Sequence, residues 1–304
     1  MPVASQPTNK SVQAARIAIG TAQFGMDYGV ANKSGQVITG EAQKILTYAR
    51  SVGIDTLDTA TAYGVSEERL GQFGVDAWKV VTKLPGLPID IKSADVEQWL
   101  HSTVNQSLKT LKLDALFAVL LHKPSDLFNQ HGQSLFKHLL EAKQLGKVQK
   151  IGISVYTPKE LEIFLNQFPI DLVQLPFNVF DQRFASSGWL AALNRDKIEI
   201  HSRSSFLQGL LLMPANERPS QFQRWRDLWV KWDSWLKETE MTPIEACLSA
   251  ALSQAEISRV VIGFDNLDQL QQTCETSVDL SIQVPEQLKT APEELVNPSR
   301  WAKV

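Results

Sequence analysis

The stretch Gly53-Ile54-Asp55-Thr56-Leu57-Asp58-Thr59-Ala60-Thr61-Ala62-Tyr63-Gly64 sets the pattern by which the chain is read. Gly53 follows a helical run and suits a left-handed C-terminal cap. Residues 56–59 then form a short β-branched and apolar run that stops on polar side chains, Asp58 and, five residues on, Tyr63. Working outward, comparable runs recur at residues 17–20, 80–83, 116–121, 151–154, 172–175, 198–201 and 260–262, eight strands in all. Longer segments of helical periodicity separate them, the pattern of parallel strands joined by crossover helices.

The helices carry their own punctuation. Thr157-Pro158-Lys159-Glu160 and Thr242-Pro243-Ile244-Glu245 each offer an N-cap hydroxyl, a proline in the first turn and a Glu placed to bond back to the cap. Between residues 94 and 112, Val96, Leu100, Val104, Leu108 and Leu111 recur at helical spacing and give one face to lay on a sheet. Gly146, like Gly53, suits a helix end. Eight strands with eight following helices and no sharp composition break predict an α/β fold, a closed (β/α)8 TIM barrel, as one domain over residues 16–304. A flexible N-terminal tail is expected at 1–15, and a C-terminal tail from about residue 280 is within reach of the active face. An open doubly wound sheet is the alternative fold, but no G-x-G-x-x-G follows the first strand, and Gly20, Gly25 and Gly29 read as a turn. Residues 212–222, with Pro214 and Pro219, read as an insertion over the active face.

The composition is 43% hydrophobic and 21% charged with a net charge of −3, so a sizeable core is available and no basic field invites nucleic acid. A small-molecule partner is expected instead. Cys247 and Cys274 lie far apart without a Cys-x-x-Cys or Cys/His cluster, which reads as two reduced thiols rather than a disulfide or zinc site. Residues 1–13 are polar, and no run approaches the roughly 18 apolar residues of a membrane span, so a cytoplasmic protein with no membrane partner is expected.

In such a barrel the active site lies at the C-terminal ends of the strands. Asp58 closes the second strand, Tyr63 follows in its loop, Lys83 ends the third and His122 comes after the fourth. Singly, each has an ordinary role as turn cap, loop aromatic, solvated strand end or rim histidine. Together they form a pKa-tuning group: the ammonium favours a phenolate, the carboxylate holds the ammonium, and Tyr63 is expected to titrate nearer neutrality. Hydride transfer to a carbonyl uses this group, with Tyr63 protonating the oxygen and His122 orienting it. No metal ligand is assigned, since neither Asp58 nor His122 has ligand spacing.

Residues 53–64, followed by Ser66-Glu67-Glu68-Arg69-Leu70-Gly71, resemble the signature of the aldo-keto reductases, and Lys83 and His122 match the remaining members of that family's tetrad. The resemblance runs from Arg16 to about Cys274 and implies the (β/α)8 barrel, an aldehyde or ketone substrate, and NADPH or NADH bound across the mouth. It further implies a cofactor site in which Ser154 and Gln174 meet the nicotinamide carboxamide. The loop holding Ser204, Phe206, Gln208 and Gly209 would lie near the phosphates. Gly20, Thr21, Gly263, Phe264, Asp265 and Gln269 complete the cofactor site, and Phe24 and Tyr28 would face substrate. Trp189, Trp301 and residues 212–222 are further candidates for the pocket.

Four positions depart from the family pattern. Val155 stands where asparagine is usual, and Arg203 replaces an aromatic that stacks on the nicotinamide, a place a planar guanidinium can fill. Gly263 and Gln269 stand where a lysine and an arginine grip the 2′-phosphate, with Asp265 beside them, which implies a weakened preference for NADPH unless a basic residue such as Arg259 reaches the phosphate. Two other functions fit the same residues: a cofactor-binding regulatory protein with little turnover, and an isomerase or lyase using Lys83 as a Schiff base. Pairing with Asp58 disfavours the last by raising the lysine pKa.

Overall fold

The computed structural model describes residues 13–289 and 291–301. Its strands are β1 (Ile17–Gly20), β2 (Thr56–Asp58), β3 (Lys79–Leu84), β4 (Leu116–Leu121), β5 (Val148–Ser154), β6 (Leu172–Pro176), β7 (Glu199–Arg203) and β8 (Arg259–Gly263). They pair in sequence order, all parallel, and β8 closes on β1 from Ile17↔Val260 to Gly20↔Gly263. The fold is therefore the closed (β/α)8 barrel and not the open sheet.

The longer helices are α1 (Thr39–Ser51), α2 (Ser66–Phe73), α3 (Val96–Leu111), α4 (Gly132–Gln144), α5 (Pro158–Leu165), α6 (Trp189–Arg195), α7 (Arg226–Thr239), α8 (Pro243–Leu252) and α9 (Leu267–Glu275). Two long helices, α7 and α8, follow β7, so the simple rule of one helix per strand breaks there. The expected capping box forms at Thr242 and Glu245. At α5 it does not: Glu160 accepts instead from the Tyr156 amide at 2.8 Å. Gly53 and Gly146 take the left-handed conformation at φ 89° and 73°, as helix ends require.

Alternation along the strands divides the apolar side chains between two faces. Val119, Leu121, Ile151 and Ile153 turn outward to the helices, where Leu100, Val104, Leu135 and Leu139 meet them in the main core. Val81, Ala118, Leu120 and Leu172 fill the barrel interior. A second core lies under α7 and α8, where Phe180, Trp229, Trp232 and Trp235 pack with Val284, Leu288, Leu295 and Val296 of the C-terminal segment. The described residues of that segment pack with α7 and none of them lines the cavity at the mouth, and Trp301 packs on Phe222 with its indole N–H donated to Leu295 O.

The expected N-terminal tail falls outside the described residues up to 12. Gln13 and Ala14 are buried, with Gln13 Nε2 donating to the Thr273 and Thr276 carbonyls, so packed structure begins ahead of residue 16. Among the described residues no helix is long and apolar enough to cross a membrane.

Candidate active site

The barrel register brings the polar strand ends together. Lys83 Nζ donates to Asp58 Oδ2 at 2.6 Å and to Thr59 O at 2.9 Å, and Gln174 Nε2 reaches Asp58 Oδ1 at 2.6 Å from β6. Asp58 and Lys83 are buried, Lys83 at 1% exposure. An ionised carboxylate only accepts, so each of its oxygens has a donor suited to it. Lys83 Nζ also lies 5.1 Å from the centre of the Tyr63 ring, and His122 stands edge-on to that ring with centroids 6.1 Å apart. The structure thus assembles the four residues from β2, β3, β4 and their loops.

Tyr63 is held by close backbone packing. A Cβ on Gly25 would fall 1.7 Å from Tyr63 O, and one on Gly64 2.2 Å from Gly25 O, so the loops after β1 and β2 touch where no side chain fits. Buried hydroxyls join the same loops: Ser66 Oγ lies 2.8 Å from Thr21 Oγ1 and 3.1 Å from Thr59 Oγ1. Gly25 is therefore more than the turn residue expected from sequence. Arg69, in the signature after Tyr63, donates to the Phe24 and Val37 carbonyls and ties this corner to the chain before α1.

The electrostatics correct one expectation. Burial, reinforced by the Asp58 carboxylate, pushes the Tyr63 phenol above its ordinary range, so it is not set to ionise near neutrality. Burial likewise pulls Lys83 below the usual lysine range, more strongly than Asp58 raises it, contrary to the pairing argument. The Schiff-base reading fails for a different reason: at 1% exposure, with its protons committed to Asp58 and the Thr59 carbonyl, the amine is closed to a carbonyl. Burial first, then the Lys83 charge, pushes His122 down to about 4, leaving it neutral at physiological pH.

A cavity of about 510 Å3 opens beside this group, of the size that houses small-molecule ligands. Asp58, Tyr63, Gln174 and Arg203 stand in its wall, which continues past Gly20, Thr21 and Tyr28 and the end of β8 to Gln269 and Thr273 on α9. Ser204, Phe206, Gln208, Gly209, Gly263, Phe264 and Asp265 line it too, so all but one of the expected cofactor residues border one space. The exception is Ser154, buried on β5 as the register partner of Gln174 and absent from the wall. Phe24, expected to face substrate, is fully buried in the main core and offers a ligand no surface. Of the wider candidates, Leu212, Met213, Pro214 and Glu217 reach the wall, whereas Trp189 and Trp301 pack elsewhere.

Several of these residues suit a nucleotide. Ser204, Leu207 and Gln208 hold positive φ, followed by Gly209 at 85°, a strained loop of the kind that recurs at ligand sites. Ser205, inside that loop, is buried in the wall with its Oγ unpartnered. At the far end, Asp265 keeps one buried oxygen, Oδ1, without a donor. Arg259 cannot serve there: it starts β8 at the opposite end of the barrel and is held by Asp55 and Thr56. Arg203 donates to Val155 O at 3.0 Å and stacks on Tyr156 at 4.2 Å. Sequence reading missed Tyr156, whose place beside Arg203 comes from the neighbours the fold supplies.

A (β/α)8 barrel with a buried Asp–Lys pair, a tyrosine and a histidine at the mouth defines a class of barrel proteins. The sequence profile of the Aldo/keto reductase family matches residues 16–291, and the chain belongs to that family. Aldo-keto reductase YhdN of Bacillus subtilis is 28% identical over 215 residues, 66% of this chain and 61% of the relative. The 6-dehydroglucose reductase of Novosphingobium aromaticivorans is 31% identical over 145 residues, 42% and 45% of the two chains. The matches thus span less than two thirds of either curated relative. The holo structure of aldo-keto reductase AKR11C1 from Bacillus halodurans aligns with a TM-score of 0.68 at 19% identity, covering 94% of this chain and 95% of that one, which supports the fold.

Proposed function

We propose that this chain reduces an aldehyde or ketone to an alcohol in the cytoplasm, with NADH or NADPH as reductant and Tyr63 as general acid. The reading rests chiefly on Tyr63, a neutral phenol in the cavity wall beside the sealed Lys83–Asp58 pair. The nicotinamide, when bound, supplies the hydride. Tyr63 gives its proton to the carbonyl oxygen, and a neutral His122 keeps an N–H with which to orient that oxygen. The phenolate left behind lies near the Lys83 ammonium, whose charge offsets the cost of forming an anion in a buried site. Asp58 and the Thr59 carbonyl hold that ammonium in place, and Gln174 in turn holds Asp58.

We infer a weakened preference for NADPH, with NADH accepted, from the charges along the wall. Among the described residues its two cations are Lys33, paired with Glu217 at 2.7 Å, and Arg203, engaged with Val155 and Tyr156. Among the described residues, the end formed by Gly263, Asp265, Asn266 and Gln269 holds none, and the Asp265 carboxylate would repel a phosphate. Gln23, Asn32, Gln208 and Glu217 in the wall fit a polar, sugar-like substrate, in keeping with the 6-dehydroglucose named for the Novosphingobium relative.

Titration of the purified protein with both reduced cofactors, followed by oxidation of each with a panel of sugar-like and simple aldehydes, tests the proposal. Turnover that is lost in Tyr63→Phe while cofactor binding persists is the expected result. Binding without turnover across the panel would favour the regulatory reading, and no binding would overturn both.

A further inference from the structure

A second group of chemically capable side chains lies outside the barrel, between α3 and α4. Glu97 and His101 sit one helical turn apart on α3, His138 and Glu141 nearly one turn apart on α4, so each pair shares a helix face. The two faces meet: one ligand atom from each of the four residues lies within 4.8 Å of all the others. The imidazoles stand edge to face with centroids 6.0 Å apart. His138 Nδ1 is 2.6 Å from Glu141 Oε2, and His101 Nε2 is 3.9 Å from the same oxygen. His138 is buried at 6% exposure, His101 and Glu141 are half-buried and Glu97 is exposed, so the group forms a shallow recess open on one side.

We propose that Glu97, His101, His138 and Glu141 form a binding site for a divalent transition-metal ion, zinc foremost, that clasps α3 to α4. Two imidazoles with two carboxylates and no thiolate make a donor set of intermediate softness, suited to zinc, nickel or cupric ions rather than magnesium, calcium or cuprous ions. Tetrahedral zinc with bonds of about 2.05 Å needs ligand atoms about 3.3 Å apart, so the widest separations must close by up to about 1.5 Å while the 2.6 Å His138–Glu141 contact opens, within the reach of side-chain rotation. Lys137 Nζ, 3.6 Å from Glu141 Oε1 on a largely exposed side chain, is the cation a metal would displace. None of the four ligands borders the cavity at the barrel mouth, so this site is independent of the proposed reaction.

Neither Glu97-x-x-x-His101 nor His138-x-x-Glu141 is complete without the other helix, so the site leaves no mark in the chain's motifs. The ion would bridge helices that follow successive strands and would bind the folded chain alone, so it should raise thermal stability.

The experiment is calorimetric titration of zinc sulfate into tag-free, chelator-treated full-length protein, paired with melting curves and visible absorption after cobalt substitution. The expected result is one zinc per chain at micromolar or tighter affinity, a melting point higher by several degrees, and the intense visible bands of low-coordinate cobalt. His101→Ala should weaken binding at least tenfold, and Glu97→Gln, at an exposed position, should weaken it without lowering the metal-free melting point. Absence of zinc-dependent heat in the wild type, or affinity unchanged in His101→Ala and Glu97→Gln, would overturn the proposal.

Discussion

Gln174 on β6 donates to Asp58 on β2 across the barrel interior, Nε2 to Oδ1 at 2.6 Å. The sequence resemblance implies a role for Gln174 at the nicotinamide carboxamide; the structure commits its Nε2 to the carboxylate that anchors Lys83. Gln174→Met keeps the volume but removes the donor, and a buried hydrogen bond to a charged group is worth roughly 1.5–3 kcal/mol. Steady-state kinetics should show kcat reduced roughly 10- to 100-fold, with a lower melting temperature. Unchanged kcat would mean the bond carries nothing in turnover.

Gly25→Ala should disable the same site from a distance. The added methyl would meet the Tyr63 carbonyl, which is backbone and cannot swing aside. We expect a soluble protein with kcat/KM down by at least about tenfold, since small misplacements of a reacting group cost that much or more. Gly40→Ala, with nothing within 4 Å of the new atom, is the control and should leave kcat/KM intact.

Acid sensitivity should begin above the carboxylate range because of His122. Its folded pKa is pushed from 6.5 to about 4, so between these values the unfolded chain binds the proton and the folded chain does not. Its contribution to stability is therefore full above pH 6.5 and falls as the pH drops toward 4. Denaturant melts across that window should show a stability slope that flattens in His122→Gln. An equally steep slope in the variant would assign it to other groups.

Cofactor choice should be reversible at the end of the cavity that lacks a cation. Gln269→Arg, combined with Asp265→Ser, supplies a guanidinium and removes the repelling carboxylate. Fluorescence titration should find NADPH binding at least tenfold tighter than in the wild type and NADH binding little changed or weaker. Equal effects on both cofactors would separate these residues from the 2′-phosphate.

The barrel and its four central residues were legible because each strand announces itself locally and each polar residue stands at a strand end. What escaped the sequence depends on distant neighbours. Phe24 carries no mark separating a core ring from a pocket ring, and only the close approach of Gly25 to Gly64 shows which way that corner folds. The ionisation of Tyr63 was misjudged because adjacent charges are visible in a motif whereas depth of burial is not. Glu97 and His138 became neighbours only through the packing of α3 on α4.

The C-terminal segment has a role that its distance from the mouth conceals. Leu288, Leu295 and Val296 share one apolar cluster with Leu207, Leu210 and Met213, and Met213 borders the cavity. The segment acts as a buttress, bracing from behind a wall it never forms. Under the proposed function, selectivity is then written partly in residues that do not line the cavity, and grafting residues 204–217 onto another barrel would transplant a surface without its foundation.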